Sequence, residues 1–431
     1  MSLNSIAARV VAAVGAGAIM MRRFSAHEGP AAMGGAPQIP EARAQKVMTL
    51  KMPTAKGWQG DHRPTPAPGL TVTPFARDLK HPRWIHVLPN GDVLVAEAIP
   101  PRGKPTSAFD YAAKVTMGRA GAMGVSANRI TLFRGLTDGV AADRHDFLTG
   151  LNQPFGMALK DGTFYVGNTD GVIAFDYADG ATSLTGPGRP VANFKPGGHW
   201  TRSLILSPDG TKLYAGVGSL SNIGDDGMAA EEGRAAIHEI DLASGAQRIF
   251  ASGLRNPVGT AFAPDGSLWT VVNERDGLGD ETPPDYLTRV EDGGFYGWPY
   301  SYWGQIVDDR VPQNAQLVAT ARQPDYALGG HTASLGLTWV PDGTLPGFGA
   351  GMAIGQHGSW NRATLSGYKL IFVPFEGSRP SGPPRDILTG FLSEDEKFSY
   401  GRPVGVQVGA DGKSLLMADD VGNVIWRVAG A

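Results

Sequence analysis

The chain has 431 residues, of which 42% are hydrophobic and 18% charged, and its formal net charge is −3. This balance lacks the basic stripe that nucleic-acid binding requires, so we expect no nucleic-acid partner. The 60 glycines and 32 prolines favour many turns over long helices, and the absence of cysteine excludes disulfides and thiolate metal sites.

The first 23 residues are predicted to be a signal peptide or an N-terminal anchor. Arg9 precedes an apolar run from Val10 to Met21, which is long enough for a signal-peptide core and short for a bilayer span. Arg22 and Arg23 stand where a cleavage site should have small neutral residues, so a membrane anchor stays open as the alternative. Both alternatives predict a periplasmic protein, either exported or N-terminally anchored.

Residues 24–68 are predicted to be a tether. The stretches GPAAMGGAPQIPEARA and HRPTPAPG are rich in Pro, Gly and Ala, a composition typical of linkers. We therefore expect the folded catalytic domain to span residues 69–431.

Six hairpin-like repeats follow. Each has a polar opening, an apolar strand and a turn at Asn-Gly or Asp-Gly, where glycine accepts the positive φ that such turns need. The turns begin at Asn90, Asp161, Asp209, Asp265, Asp342 and Asp411, with spacings of 71, 48, 56, 77 and 69 residues. Because a four-stranded propeller blade needs roughly 40 to 50 residues, the excess is assigned to loops. The pattern predicts an all-β, six-bladed β-propeller of four-stranded antiparallel blades, closed by pairing of the C-terminal strand NVIWRVAG with an early strand.

Residues just before the first strand of each repeat are predicted to gather at one mouth of the central channel, because the innermost strand of every blade runs along it. All of these residues are polar, and cations dominate: His81, Arg83, Asn152, Gln153, His199, Arg202, Arg255, Asn256, His331 and Arg402. So many like charges would repel one another unless an anion lies among them. The sequence therefore predicts a pocket for a multiply anionic small molecule.

Four stretches carry a resemblance to a known family: GGHWTRSLILSPDG, GLRNPVGTAFAPDG, NERDGLGDETPPDYLTRVEDGGFYGWPYSYWG and GQHGSWNR. They resemble the soluble pyrroloquinoline-quinone-dependent sugar dehydrogenases, especially the sorbosone and aldose dehydrogenases, over about residues 70–429. The resemblance implies a six-bladed propeller, a cofactor with three carboxylates and an ortho-quinone, and oxidation of an aldose or a sorbosone-type sugar. The chain has no CxxCH motif for a covalent haem, so an external dye, quinone or cytochrome is expected to take the electrons.

The resemblance also implies roles for single residues. His199 matches the family's catalytic base, which removes the proton of the sugar C1 hydroxyl while the hydride passes to the quinone. Arg255 matches an arginine beside the quinone oxygens, and Asn256 would hydrogen-bond the same edge. Arg402 matches an arginine that grips a cofactor carboxylate.

Further cations are expected to contact the cofactor. The family places one near GQHGSWNR, where His357 and Arg362 stay open as alternatives. The mouth positions add Arg83, Arg202 and His331 to the expected cofactor-binding set.

A calcium ion is implied by the segment NERDGLGDE. It aligns with a family loop whose backbone carbonyls hold calcium against the cofactor, and the aligned carbonyls here belong to Asp276 and Gly277. Calcium would polarise the quinone as a Lewis acid. Related proteins often have a small or neutral pair followed by proline where this chain has Arg-Asp.

Two alternatives to a dehydrogenase fit the same fold: a calcium-dependent lactonase or esterase, and a binding platform without chemistry. A lactonase of this type centres calcium in the channel on several carboxylates and asparagines, which the cationic mouth does not favour. A platform leaves the combination of His199 with Arg255 unexplained.

Overall fold

A computed structural model describes residues 32–45, 49–105, 108–137 and 139–431. The predicted signal or anchor segment, residues 1–23, lies outside the described residues. Within the described ranges no helix is both long and apolar enough to cross a membrane.

Four strands precede the first blade: β1 (Met33–Gly34), β2 (Thr54–Ala55), β3 (Thr65–Pro66) and β4 (Leu70–Ala76). The first blade contains β5 (Pro82–Val87), β6 (Val93–Glu97), β7 (Arg129–Thr137) and β8 (Val140–Leu148). The second contains β9 (Met157–Lys160), β10 (Thr163–Asn168), β11 (Gly171–Asp176) and β12 (Arg189–Asn193). The third contains β13 (Leu204–Leu206), β14 (Lys212–Val217), β15 (Ala236–Asp241) and β16 (Gln247–Ser252).

The fourth blade contains β17 (Pro257–Phe262), β18 (Leu268–Val272) and β19 (Pro284–Val290), and after the small hairpin β20 (Ser301–Tyr302) and β21 (Ile306–Val307) it ends with β22 (Tyr326–Gly330). The fifth contains β23 (Ser334–Val340), β24 (Gly351–Gln356), β25 (Lys369–Glu376), the two-residue β26 (Arg379–Pro380) paired with β25, and β27 (Arg385–Thr389). After β28 (Phe398–Ser399), the sixth contains β29 (Pro403–Val408), β30 (Ser414–Asp419) and β31 (Val424–Gly430). Helices α1 (Ala108–Arg119) and α2 (Ala315–Thr320) lie in connections.

The ring closes as predicted. Strand β4 is the outermost strand of the sixth blade and pairs antiparallel with β31, with Gly430 opposite Leu70. All neighbouring strands within the six blades are antiparallel, and the first strand of each blade lines the channel around the axis. The chain is therefore the six-bladed β-propeller that the repeats predicted.

The six hairpin turns have the backbone conformation that the Asn-Gly and Asp-Gly pairs predict. Their glycines have φ between 63° and 89°, in the region that residues with a Cβ rarely adopt: Gly91, Gly162, Gly210, Gly266, Gly343 and Gly412. The apolar core lies between adjacent blades. For example, Trp84 and Leu94 of the first blade pack in one cluster with Phe164 and Val166 of the second.

The N-terminal segment is not the tether that its composition predicted. Residues 32–45 and 49–66, here called the strap, pack along the propeller. Strand β1 adds a fifth strand to the fourth blade, and β3 adds one to the fifth blade. Backbone hydrogen bonds hold the middle of the strap: Lys51 N donates to Trp360 O at 2.9 Å, and Gln45 N donates to Gly277 O at 2.9 Å. The folded body therefore begins well before residue 69.

Candidate active site

A cavity of about 300 Å³ lies at one mouth of the channel. Its polar lining comes from segments that lead into or out of the innermost hairpins: His199, Arg255, Asn256, Asn273, Asp276, His331, His357, Tyr368 and Arg402. An apolar side is added by Met52 and Pro53 of the strap and by Met117 at the end of α1. The structure thus brings seven of the predicted site residues to one cavity, Asp276 among them, and both the strap and the end of α1 border it.

His199 is held in one tautomer. Its Nδ1 lies 2.8 Å from the carbonyl oxygen of Ser219. A carbonyl can only accept, so Nδ1 carries the proton and Nε2 is left as the nitrogen that accepts one. Burial and the nearby Arg255 charge lower the pKa of His199 to about 3. At neutral pH His199 is therefore an uncharged imidazole with a fixed basic nitrogen.

Arg255 is fixed by backbone and amide oxygens. Its Nη1 donates to Glu274 O at 2.7 Å, and its Nε and Nη2 donate to the carbonyl and side-chain oxygens of Asn222 at 3.2 and 3.0 Å. The guanidinium also lies 3.7 Å from the Asp276 carboxylate. With most of its N–H groups engaged, Arg255 supplies a fixed positive charge beside His199 rather than a mobile donor.

The side chains of Asn256 and His199 both pack closely against the backbone of Gly218. A Cβ on Gly218 would lie 2.3 Å from Asn256 Oδ1 and 2.6 Å from the Cβ of His199, so only glycine fits. The Asn256 Oδ1 is buried and has no hydrogen-bond partner among the described residues. An unsatisfied buried amide oxygen at a cavity wall is available to a ligand.

His331 carries a positive charge. Its Nε2 lies 2.8 Å from Gly279 O and its Nδ1 lies 3.2 Å from an Asp276 carboxylate oxygen. Both partners can only accept, so both ring nitrogens must donate and the ring is an imidazolium. Burial alone would lower the pKa of His331, but the Asp276 carboxylate and the Gly279 carbonyl raise it above its ordinary value.

A second carboxylate, Asp420, organises the opposite side of the mouth. One of its oxygens lies 3.1 Å from His81 Nε2, 2.5 Å from Arg83 Nη1 and 2.8 Å from His357 Nε2. Burial alone would raise the pKa of Asp420, but the surrounding histidines hold it well below its usual range. Burial and the Arg402 charge lower the pKa of His357 to about 3.

Arg402 faces the cavity from beside this cluster. Its Nε donates to His357 O and its Nη2 to Gly358 O, both at 2.8 Å, and its guanidinium lies 5.2 Å from the centre of the Tyr368 ring. Arg255, His331 and Arg402 therefore set three positive charges against one carboxylate, that of Asp276, among the described residues that line the cavity. This surplus fits the predicted anion.

Some expected residues lie elsewhere. Arg202 is fully buried and donates to three backbone carbonyls, among them His199 O at 2.8 Å, so it supports the base from behind. Arg362 pairs with Glu281 at 2.5 Å and donates to Gly330 O at 3.0 Å. Arg83 is not among the residues that line the cavity, and it pairs with Asp420 behind the cavity wall. Of the two alternatives His357 and Arg362, the structure brings His357 to the cavity.

Comparison with known proteins places this geometry in a family. A family model described as TrAA12-like matches residues 64–284, just over half of the chain. The chain belongs to the TrAA12-like family. A pyrroloquinoline-quinone-dependent pyranose dehydrogenase of Coprinopsis cinerea is 26% identical over 320 residues, and an uncharacterized protein of Borreliella burgdorferi is 31% identical over 238 residues. These matches cover 59% and 53% of this chain but only 43% and 60% of the respective relatives.

Solved structures share the propeller of this TrAA12-like chain. A Trichoderma reesei enzyme of carbohydrate-active family AA12 superposes with a TM-score of 0.70 at 20% identity, covering 90% of this chain and 100% of that one. The holo quinone domain of the Coprinopsis cinerea dehydrogenase gives 0.70 at 21%, covering 88% and 100%. A quinone-bound aldose sugar dehydrogenase of Streptomyces coelicolor gives 0.54 at 17%, covering 85% and 99%. At these identities the likeness shows the fold alone.

The calcium ligands expected from the resemblance do not fit this TrAA12-like site. Asp276 O already accepts from Arg310 Nη1 at 2.9 Å and from Asn222 Nδ2 at 3.1 Å. Gly277 O accepts from Gln45 N at 2.9 Å. Asp276 O, with two donors, has no lone pair left for a cation, so the pair of carbonyls cannot bind calcium together as they stand. The donors that occupy these carbonyls, Arg310, Asn222 and Gln45, are where the expectation fails.

Sequence reasoning missed two functional groups, the carboxylates of Asp276 and Asp420. Both follow the second strand of an innermost hairpin, β18 and β30. In an antiparallel hairpin the second strand ends where the first begins, so its trailing residues reach the same mouth. Polar residues after each second strand were the signal that could have found them.

Proposed function

We propose that this chain is a pyrroloquinoline-quinone-dependent dehydrogenase that oxidises a sugar of the aldose or sorbosone type at C1. The observation that carries the proposal is a neutral histidine base, His199, fixed beside the Arg255 charge in a cavity with surplus positive charge. Membership of the TrAA12-like family and the quinone-dependent pyranose dehydrogenase among its relatives support it.

The described residues fit such a cofactor. Its carboxylates would be held by the cationic wall, in which Arg402 Nη1 has no acceptor among the described residues. The unpartnered Asn256 Oδ1 offers a further contact to a polar ring edge. Bidentate or charge-assisted bonds from arginine to carboxylate are among the stronger polar contacts in proteins.

The chain's own residues would perform the proton chemistry. When bound, the quinone would accept the hydride from C1 of the sugar. His199 Nε2 would take the proton of the C1 hydroxyl, with Ser219 O holding the ring by Nδ1 throughout. Arg255 and His331 place fixed positive charges at the same wall, where they would stabilise negative charge that develops in the transition state.

The electrons would then pass to an external acceptor, a quinone or a cytochrome; the 431-residue sequence has no CxxCH motif for a covalent c-type haem. We place the reaction in the periplasm, with the chain exported or N-terminally anchored. The apolar run from Val10 to Met21 after Arg9 supports this placement.

The test is reconstitution of the full chain. Purified protein is titrated with pyrroloquinoline quinone, followed by absorbance, and assayed for reduction of an artificial electron acceptor with a panel of aldoses and sorbosone. We expect saturable binding and sugar-dependent reduction. Binding without reduction by any sugar would reject the substrate class, and no binding would reject the proposed function as a whole.

A further inference from the structure

The loop between β18 and β19 is held by two cations of its own chain. Arg275 is fully buried and donates to Glu274 Oε2 at 3.0 Å, Pro299 O at 2.9 Å and Ser301 O at 2.8 Å. Arg310 approaches the same loop from the other side and donates to Asp276 O at 2.9 Å. The loop is therefore braced before any ligand arrives.

Hydrogen bonds on three nitrogens orient the Arg310 guanidinium. Its Nε and Nη2 donate to the two oxygens of Asp308 at 2.8 and 2.7 Å, and the Asp308 carboxylate is fully buried. This leaves Nη1 directed at Asp276 O. The guanidinium thus bridges a buried carboxylate and a loop carbonyl, a pair of oxygen donors of the kind that calcium prefers.

The neighbouring carbonyls are held by the strap. Gln45 N donates to Gly277 O at 2.9 Å and Arg43 N donates to Leu278 O at 2.8 Å. Gly277 N donates to Asn361 Oδ1 at 3.2 Å, while Asn361 Nδ2 donates to Thr49 O in the strap at 2.7 Å. Every carbonyl from Asp276 to Leu278 is therefore already paired.

A divalent ion at Asp276 O would have to displace Arg310 Nη1 or Asn222 Nδ2, which together use both lone pairs of that oxygen. It would also stand within a few ångström of the Arg310 guanidinium, whose repulsion rises steeply in a partly buried setting. The positive charge at the cavity comes instead from the lining groups Arg255, His331 and Arg402.

We propose that Arg310 takes the place of the calcium ion, so that this chain binds its quinone and turns over without a metal at the Asp276–Gly277 loop. The inference rests on the proposed function. Arg310 is a positioning residue: it braces the loop that carries the Asp276 carboxylate, and that carboxylate holds His331 and faces Arg255.

The first measurements use the full chain after treatment with EDTA. Calorimetric titration with CaCl₂ alone tests the apoprotein, and titration with pyrroloquinoline quinone is run in EDTA and in 1 mM Ca²⁺. We expect no calcium binding and quinone dissociation constants that agree within about twofold. Calcium-dependent quinone binding, or one calcium retained per chain by elemental analysis, would overturn the inference and leave the proposed function standing. No quinone binding in either buffer would instead reject the proposed function.

The matched variants are Arg310→Ala, Arg310→Lys and, as control, Arg322→Ala. Arg322 lies in the same blade and pairs with Glu291 at 2.6 Å in solvent. In Arg310→Ala, Asp276 O loses its cation and Asp308 keeps only Arg275, whose Nη1 lies 3.5 Å away, so we expect measurable Ca²⁺ binding and quinone affinity at least about fivefold higher in calcium than in EDTA. Arg310→Lys and Arg322→Ala should behave as the parent chain. If Arg310→Ala unfolds cooperatively and its quinone affinity does not depend on calcium, Arg310 is no substitute for the metal.

Discussion

His199 depends on one hydrogen bond for its role as a base, and this makes its substitution informative. His199→Gln removes the basic Nε2 while keeping a polar side chain of similar reach. General-base catalysis contributes about 10²- to 10⁴-fold, so we expect kcat to fall by that factor. Quinone affinity should change little, because the wall cations remain. Stopped-flow reduction and absorbance titration measure the two quantities separately.

The control is His145→Gln, which changes a histidine on the outer strand β8. Its kcat should equal that of the parent chain. If His199→Gln retains more than about a tenth of the parent kcat, His199 is not the base. If it loses quinone binding instead, its role is to hold the cofactor.

Asp420 pairs with His81, Arg83 and His357 through one oxygen, and its side chain is fully buried. Asp420→Asn would leave the Arg83 charge uncompensated in the interior. Breaking a buried ion pair on one side costs about 3 to 5 kcal/mol, so a loss of this size in the free energy of unfolding is expected. Denaturant titration of the apoprotein measures it.

Asp411→Asn is the comparison for Asp420. Asp411 pairs with Arg427 at 2.7 Å, but both side chains keep contact with solvent. Exposed pairs are worth about 0 to 1 kcal/mol, so this variant should stay close to the parent stability. Equal losses in the two variants would mean that the Asp420 cluster is no more than a surface pair.

The strap is the element whose removal should matter most for the site. Deleting residues 1–53 removes Met52 and Pro53 from the cavity wall and Gln45 from Gly277 O, but leaves the closing strand β4 intact. We expect a folded propeller whose quinone dissociation constant rises at least about tenfold, equivalent to about 1.4 kcal/mol. Deleting residues 1–31 should leave affinity unchanged. Equal affinity in both truncations would reduce the strap to a passive covering.

Among the structural elements, the hairpins were predictable from the sequence and the strap was not. Each hairpin combines an apolar strand with an Asn-Gly or Asp-Gly turn, and both signals lie within a few residues of chain. The strap is held largely through backbone groups such as Gln45 N and Lys51 N, which every residue except proline supplies. A Pro/Gly-rich composition therefore predicted a tether where the structure has a docked segment.

The candidate site was predictable only as far as the hairpin geometry reached. Residues preceding the innermost strands, such as His199 and Arg255, follow from the propeller alone. The direction of each side chain does not follow from the propeller. Arg202 and His199 are three residues apart, yet Arg202 points away from the cavity and donates to backbone carbonyls. Nor does the sequence show that Arg310, far along the chain, reaches the carbonyl of Asp276.

For the molecule as a whole, the buried titratable groups determine whether the free energy of unfolding rises or falls with pH. Burial is the largest cause that lowers the pKa of four histidines: His86, His199, His238 and His357. Each takes up a proton on unfolding when the pH is between its folded pKa and 6.5, so acid favours the unfolded chain. Burial raises the pKa of Asp285 and Asp419 to about 6, and these two carboxyls release protons on unfolding in the same window. His86, His199 and His357 have folded pKa values of about 4, 3 and 3, so these three take up protons across the window, and three taken up against two released leave a net uptake of about one.

Stability should therefore fall as the pH is lowered from 6.5 to 4.5. A net uptake of one proton corresponds to about 1.4 kcal/mol per pH unit, and for a domain of this size to a Tm decrease of about 1.5 °C per unit. Differential scanning calorimetry of the apoprotein measures this slope. His357→Gln keeps a donor for Asp420 but cannot titrate, which removes the net proton, so its slope should be close to zero. A Tm that holds constant or rises on acidification would mean that the histidines are protonated in the folded chain. That result would contradict the assignment of His199 as a neutral base.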